Sequence, residues 1–97
     1  MVKGYVIAEV EVTDPALFEE YRKGVPETVA AFGGRFVVRG GAITRAEGDW
    51  HPKRLVILEF PDVASAKAWH ASPAYAPLKA MRERSARTRL LIVEGVA

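Results

Sequence analysis

The stretch "KGYVIAEVEVTDPALF", residues 3–18, changes its periodicity halfway, and that change decides the fold. Over residues 3–12 the repeat is two. Val6, Ala8, Val10 and Val12 share one side and Tyr5, Ile7, Glu9 and Glu11 the other, the pattern of a strand with one fully apolar face. At Asp14-Pro15 the repeat lengthens. Asp14 can cap a helix by accepting from a free backbone N–H, and Pro15 takes the first helical position, where a missing N–H costs nothing. Leu17, Phe18, Tyr21, Val25, Val29 and Phe32 then recur at helical spacing as a buried stripe. Gly24 and Pro26 predict a kink near the middle of this helix, and Gly33-Gly34 its end.

Outward from this unit, "RFVVRG" (35–40) and "RLVILEF" (54–60) read as a second and a third strand. Gly40-Gly41 and "EGDWHP" (47–52) supply turn chemistry between them, with room for a short extension at 43–46. Pro61-Asp62 opens a second helix carrying Val63, Ala66 and Trp69 on one stripe. Pro73 breaks it, Tyr75, Leu78 and Met81 continue in a further short helix, and "RTRLLIVEG" (87–95) is a final strand. The order β-α-β-β-α-β over one domain, residues 1–97, predicts an α+β, ferredoxin-like architecture: a four-stranded antiparallel sheet with helices on one face.

Of the 97 residues, 49% are hydrophobic and 27% charged, the balance of a globular domain too small for a second core. No apolar run approaches the roughly 18 residues of a membrane span. The alternating N-terminal segment lacks a small-residue cleavage site, so a cytoplasmic protein is expected. Without cysteine there are no disulfides, thiolate metal sites or thiol nucleophiles. Fourteen basic against 12 acidic residues leave a net charge of only +2, too weak a field to suggest nucleic acid. The run "KAMRERSARTR" (79–89) scatters its charges, is interrupted by Glu83 and has no aromatic platform. The paired glycines lack the context of a phosphate-binding loop, and no cofactor is expected.

Sorting the strands by face gives an inner set of Val6, Ala8, Val10, Phe36, Val38, Val56, Leu58, Phe60, Leu90 and Ile92. The other face holds Tyr5, Ile7, Glu9, Val37, Arg39, Leu55, Ile57, Glu59, Arg89, Leu91 and Val93. That is too apolar for a solvated surface. Packing against a second copy would cover the aliphatics and let Glu9, Glu59, Arg39 and Arg89 pair within or across the interface, so a homodimer through the open sheet face is expected.

"AFGGRFVVRGG" (31–41), "EGDWHPKRLVILEF" (47–60), "AWHASPAYAPLKAMR" (68–82) and the closing "VEG" (93–95) together resemble the bacterial domain-of-unknown-function 1330 family over nearly the whole chain. The resemblance implies membership of the dimeric α+β barrel superfamily, in which two ferredoxin-like sheets face each other. Members of that superfamily include cofactor-free quinol monooxygenases, muconolactone isomerases, haem-binding chlorite dismutases and proteins with no known reaction, so the fold does not choose a chemistry. His70 stands where the family often has tyrosine after the tryptophan, which leaves a ring with a polar tip but removes the hydroxyl.

The chemistry-bearing residues gather in "AWHASPAYAPL" (68–78). Trp69 is either a core aromatic or the wall of a pocket between helices and sheet. His70, about 100° further round the helix, is either a partly exposed histidine or a general base titrating near neutrality. Ser72 before Pro73 suits a helix cap bonded to the N–H of Ala74 or Tyr75, and no nucleophile elbow surrounds it. Tyr75 heads a buried stripe, its hydroxyl toward the helix break. Arg39 either pairs with Glu9 or Glu59 or anchors a carboxylate or phenolate. Glu47, Asp49 and His51 alternate as metal ligands could, but a solvated edge explains them as well, and no metal is expected.

Two classes of function follow. The first is a small-molecule enzyme or binding domain, with His70 as the catalytic candidate and Arg39, Trp69 and Tyr75 as ligand-binding candidates; a cofactor-independent oxygenase or isomerase is the analogue. The second is a non-catalytic dimeric accessory or stress-related protein. A pocket of several hundred Å3 beside Trp69 would mark the first and a filled space the second.

Overall fold

The computed structural model describes residues 2–97. Seven elements follow one another: β1 (Gly4–Val12), α1 (Pro15–Ala31), β2 (Arg35–Arg39), β3 (Leu55–Phe60), α2 (Val63–His70), α3 (Ala76–Ser85) and β4 (Ala86–Glu94). The sheet order is β2-β3-β1-β4 with every neighbouring pair antiparallel, which is the ferredoxin-like arrangement the sequence predicts.

Local chemistry sets the boundaries. Asp14 accepts from the Leu17 N–H at 3.2 Å and Asp62 from the Ser65 N–H at 2.7 Å, each satisfying a free donor of a helix start. Gly33, at φ +77°, ends α1 in a conformation that side chains resist. Ser72 makes the joint between α2 and α3. Its hydroxyl donates to the Trp69 carbonyl at 2.8 Å and accepts from the Tyr75 N–H at 3.2 Å.

Two local expectations need correction. Residues 40–54 form no strand, so the extension at 43–46 is absent. α1 runs as one helix through Gly24 and Pro26. Gly24 also serves proximity, since a Cβ there would lie 2.8 Å from Leu78 Cδ2, where α3 packs on α1. The buried side of α3 carries Arg82 and Ser85 after Leu78, while Met81 is half-buried. The 3-4-3 spacing of Tyr75, Leu78, Arg82 and Ser85 fits a helical face better than Met81 does. Ser85 is fully buried because its carbonyl accepts from Thr13 and Asp14, tying the α3–β4 junction to the end of β1.

The core lies between one sheet face and the helices. Val6, Ala8, Val10, Leu58 and Phe60 are buried beneath Phe18, Val25, Val29, Ala66, Trp69 and Tyr75. β2 departs from simple alternation. Phe36 pairs with Leu58, but Val38 pairs with Ile57 and Arg39 with Val56, so a β-bulge shifts the register between Phe36 and Val38. One extra residue exchanges the faces of everything after it. Val38 therefore moves from the inner set to the outer face, and Arg39 from the outer face to the helix side. This corrects the expected placement of both.

On the outer face the same register aligns Leu91, Ile7, Ile57 and Val38 in a row across all four strands. Charged rows flank it. Arg89 pairs with Glu9, its Nε donating at 2.8 Å, and Glu59 accepts from Lys3 at 3.0 Å and Arg35 at 3.1 Å. The charges of this face thus find partners within the chain, and Arg39 is not among them.

Candidate functional site

A cavity of about 40 Å3 lies between the sheet and the helices, with Val10, Val56, Leu58 and Leu90 on its floor and Phe18 and Val25 on its α1 side. It has room for roughly three water molecules, far below the several hundred Å3 named above as the mark of an enzyme or binding domain, and so stands nearer the filled space of the second class. Trp69, Tyr75 and Arg39 all reach it; His70 does not line it. Tyr21, Arg22, Arg54 and Arg82 line it as well.

The inner end is aromatic and hydrogen-bonded. The rings of Trp69 and Tyr75 lie 4.2 Å apart between centroids, and both side chains are buried. Indole Nε1 donates to Thr28 Oγ1 at 3.1 Å, and that hydroxyl donates to the Val25 carbonyl at 2.8 Å, so Trp69 is oriented from α1. The Tyr75 hydroxyl meets the Tyr21 hydroxyl at 2.8 Å and accepts from Arg82 Nη1 at 3.2 Å. It thus turns to α1 and the cavity, not to the helix break as expected. Burial, and the Tyr75 hydroxyl beside it, push the Tyr21 phenol well above its ordinary pKa of 10.0. Tyr21 stays protonated across the physiological range, so its hydroxyl can donate or accept a hydrogen bond but supplies no phenolate base.

The outer end is cationic. Arg39 is exposed and Arg22 and Arg54 half-buried. The Arg39 guanidinium lies 4.3 Å from the centroid of the Phe36 ring and that of Arg54 5.6 Å from the Phe18 ring. Arg39 Nη2 also donates to the Arg22 carbonyl at 2.9 Å. A helical residue bonds to the carbonyl four positions before it, and Pro26 has no N–H to give Arg22. The proline inside α1 leaves an acceptor free, and the bulge in β2 delivers the donor.

His70 sits behind this wall, its ring 6.2 Å from those of Trp69 and Tyr75. Burial, then the charges of Lys79 and Arg82, hold its pKa below the ordinary 6.5, so it is neutral at pH 7. Asp49 and His51 pair at 2.9 Å in the exposed 40–54 loop, with Arg45 also on His51. No group of three potential metal ligands gathers among the described residues.

Sequence reasoning missed Tyr21, Arg22, Arg54 and Arg82 as site residues, although two left a signal. Arg54 shares the parity of Val56, Leu58 and Phe60, which places it on the helix side of the sheet. Arg22 interrupts the stripe at four residues after Phe18 and three before Val25.

A family described as "Domain of unknown function (DUF1330)" matches residues 3–96. No curated protein matches the chain in sequence. Among solved structures, the chain is similar to the RPA0582 protein of unknown function from Rhodopseudomonas palustris, with a TM-score of 0.74, 17% identity, and coverage of 99% of this chain and 84% of that one. It is similar to SnoaB, a cofactor-independent oxygenase from Streptomyces nogalater, at a TM-score of 0.60 and 15% identity, covering 100% and 96% of the two chains. An antibiotic biosynthesis monooxygenase aligns at a TM-score of 0.55 and 14% identity, over 100% and 98%. At such identities the likeness shows a shared fold and carries no reaction across.

Proposed function

This chain belongs to the DUF1330 family, and from that premise we propose that it is a homodimeric small-molecule-binding domain whose ligand occupies the cavity between sheet and helices. The observation that carries the reading is the convergence of the Tyr21 and Tyr75 hydroxyls and buried Arg82 on a space otherwise walled by apolar side chains. A hydrogen-bonded polar group at the end of an apolar cavity fixes the orientation of a compact molecule. Trp69 and Tyr75 supply the flat wall and Arg39 a polar contact at the opening. A ligand of a few heavy atoms fits the space as it stands. A larger one requires the mouth to open further, at the sheet edge that carries Arg39.

A screen of small aromatic acids, quinols and lactones by thermal shift tests this. At tenfold excess over Kd a ligand contributes about 1.4 kcal/mol, roughly 5–10 °C for a domain of this size. In a Trp50→Phe background, emission reports Trp69 alone and must change with the same concentration dependence. Stabilisation without any response of Trp69 would place binding elsewhere and overturn the reading.

Chemistry on the bound molecule, as in a cofactor-independent oxygenase or isomerase, is a second reading favoured by His70, a neutral base beside the tyrosine wall. It requires the substrate to reach past Tyr75. With any ligand found by the screen, turnover lost in His70→Gln while binding persists would support it, and unchanged turnover would remove His70 from the mechanism.

A further inference from the structure

Four arginines line one small cavity. Of these four, among the described residues, only Arg22 has a carboxylate partner, the exposed Glu19 at 3.1 Å. Arg82 is accounted for in part by Tyr75. The other three converge at the mouth from three separate elements: Arg22 from α1, Arg39 from the bulged end of β2 and Arg54 from the residue before β3. Phe36 and the Arg22 carbonyl hold the Arg39 guanidinium, Phe18 that of Arg54, and Glu19 that of Arg22. Such contacts engage ring faces and leave most in-plane N–H donors without acceptors. The Nε atoms of Arg22 and Arg54 are buried and have no hydrogen-bond partner. Gly40, beside Arg39, leaves the space into which the Arg54 guanidinium packs, where any Cβ would collide with it.

Three like charges with a single exposed carboxylate, Glu19, among them, and two with buried donors unsatisfied, are costly unless something further and anionic meets them. Burial, then the neighbouring charges of Arg22 and Arg39, lower the pKa of Arg54 against the opposing charge of Glu19. We propose that Arg22, Arg39 and Arg54 form a carboxylate subsite, and that the ligand is a small aryl or alkyl carboxylic acid. Its acidic head lies at the mouth and its apolar end points inward to Trp69 and Tyr75. Planar guanidinium groups offer paired donors that match the two oxygens of a carboxylate. The apolar interior, with neutral Tyr21 at its end, takes a short apolar tail as it stands and an aryl ring only by opening further. This inference rests on the cavity being the binding site.

The test compares each acid with its own amide, which keeps shape and removes charge. Benzoate and benzamide, and butyrate and butyramide, are titrated against the full chain carrying Trp50→Phe, with Trp69 emission and calorimetry as readouts. The acid is expected to bind at least tenfold tighter than its amide, a preference that shrinks as sodium chloride is raised. In Arg39→Gln and Arg54→Gln the preference is expected to fall several-fold while amide binding holds. Both substitutions relieve repulsion in the free protein, so the apo Tm is expected to stay level or rise. Should a variant fail to fold, the acid–amide comparison and its salt dependence in the natural chain still decide. Equal binding of acid and amide overturns the carboxylate subsite and leaves the cavity reading intact. Binding of inorganic phosphate that excludes benzoate from the mouth without perturbing Trp69 overturns the carboxylic-acid assignment. Failure of all four organic probes to perturb Trp69 counts against the cavity reading itself.

Discussion

His70 is neutral where an ordinary histidine would be partly charged, and that has a consequence for stability. Its folded pKa lies below the 6.5 of a free side chain, so as pH falls the unfolded chain takes up the proton first. The stability associated with neutral His70 is present above about pH 6.5 and is lost as pH falls through the interval down to the folded pKa. Glu59, held below its ordinary 4.5 by hydrogen bonds from Lys3 and Arg35, and Asp62, held below 3.8 by Ser65, lose their contributions only in more acidic solution. Melting followed by circular dichroism at about pH 7.5 and about pH 5.5 is therefore expected to show a drop in Tm that His70→Gln reduces. An identical drop in the variant would refute the assignment to His70.

At the scale of the element, the end of β2 does most to shape the site. The bulge sets Arg39 against Val56 on the helix side, and Gly40, at φ +70°, carries the chain away beside the Arg54 guanidinium. Gly40→Ala is expected to cost about 1–2 kcal/mol, because a Cβ resists that conformation. It also displaces Arg54, so acid binding should weaken more than amide binding; urea unfolding and the two titrations measure these effects separately. The elements themselves were legible in the sequence, because Asp14, Asp62, Ser72 and Gly33 act through chemistry local to a few residues. The bulge was not. Val37, Val38 and Arg39 read equally well in either register, and only pairing with β3 chooses one. That Trp69 and Tyr75 are buried could be read from helical spacing, whereas the direction of the Tyr75 hydroxyl and the arginine group depend on separate elements meeting. Arg82 lay hidden for a different reason: a charged residue on a buried helix face is explained only once Tyr75 and Tyr21 are seen beside it.

The whole molecule presents one sheet face to its helices and leaves the other uncovered. With Glu9 and Glu59 already paired inside the chain, the remainder of that face is the apolar row of Leu91, Ile7, Ile57 and Val38, with Val93 and Val37 close by. Leu91, on the edge strand β4, is 68% exposed in the single chain, and it continues the apolar row to that edge. The proposed dimer buries this row. Light scattering is expected to give twice the 10.7 kDa chain mass, and Leu91→Lys to return it to that of one chain by placing a charge in the apolar row. A natural chain that runs as a monomer at micromolar concentration would count decisively against the dimer.

β2 is five residues long, pairs only with β3, and is joined to it through the exposed segment 40–54 instead of a tight hairpin. An edge strand with one neighbour and a long tether can detach at a fraction of the free energy of global unfolding. Amide hydrogen exchange should accordingly be much faster for residues 36–39 than for β1, which has a strand on each side. Since β2 carries Arg39, the wall that breathes is the one that closes the mouth. Admission to the interior is then governed by fraying at one sheet edge, and an occupant that engages Arg39 slows exchange there while leaving β1 unchanged.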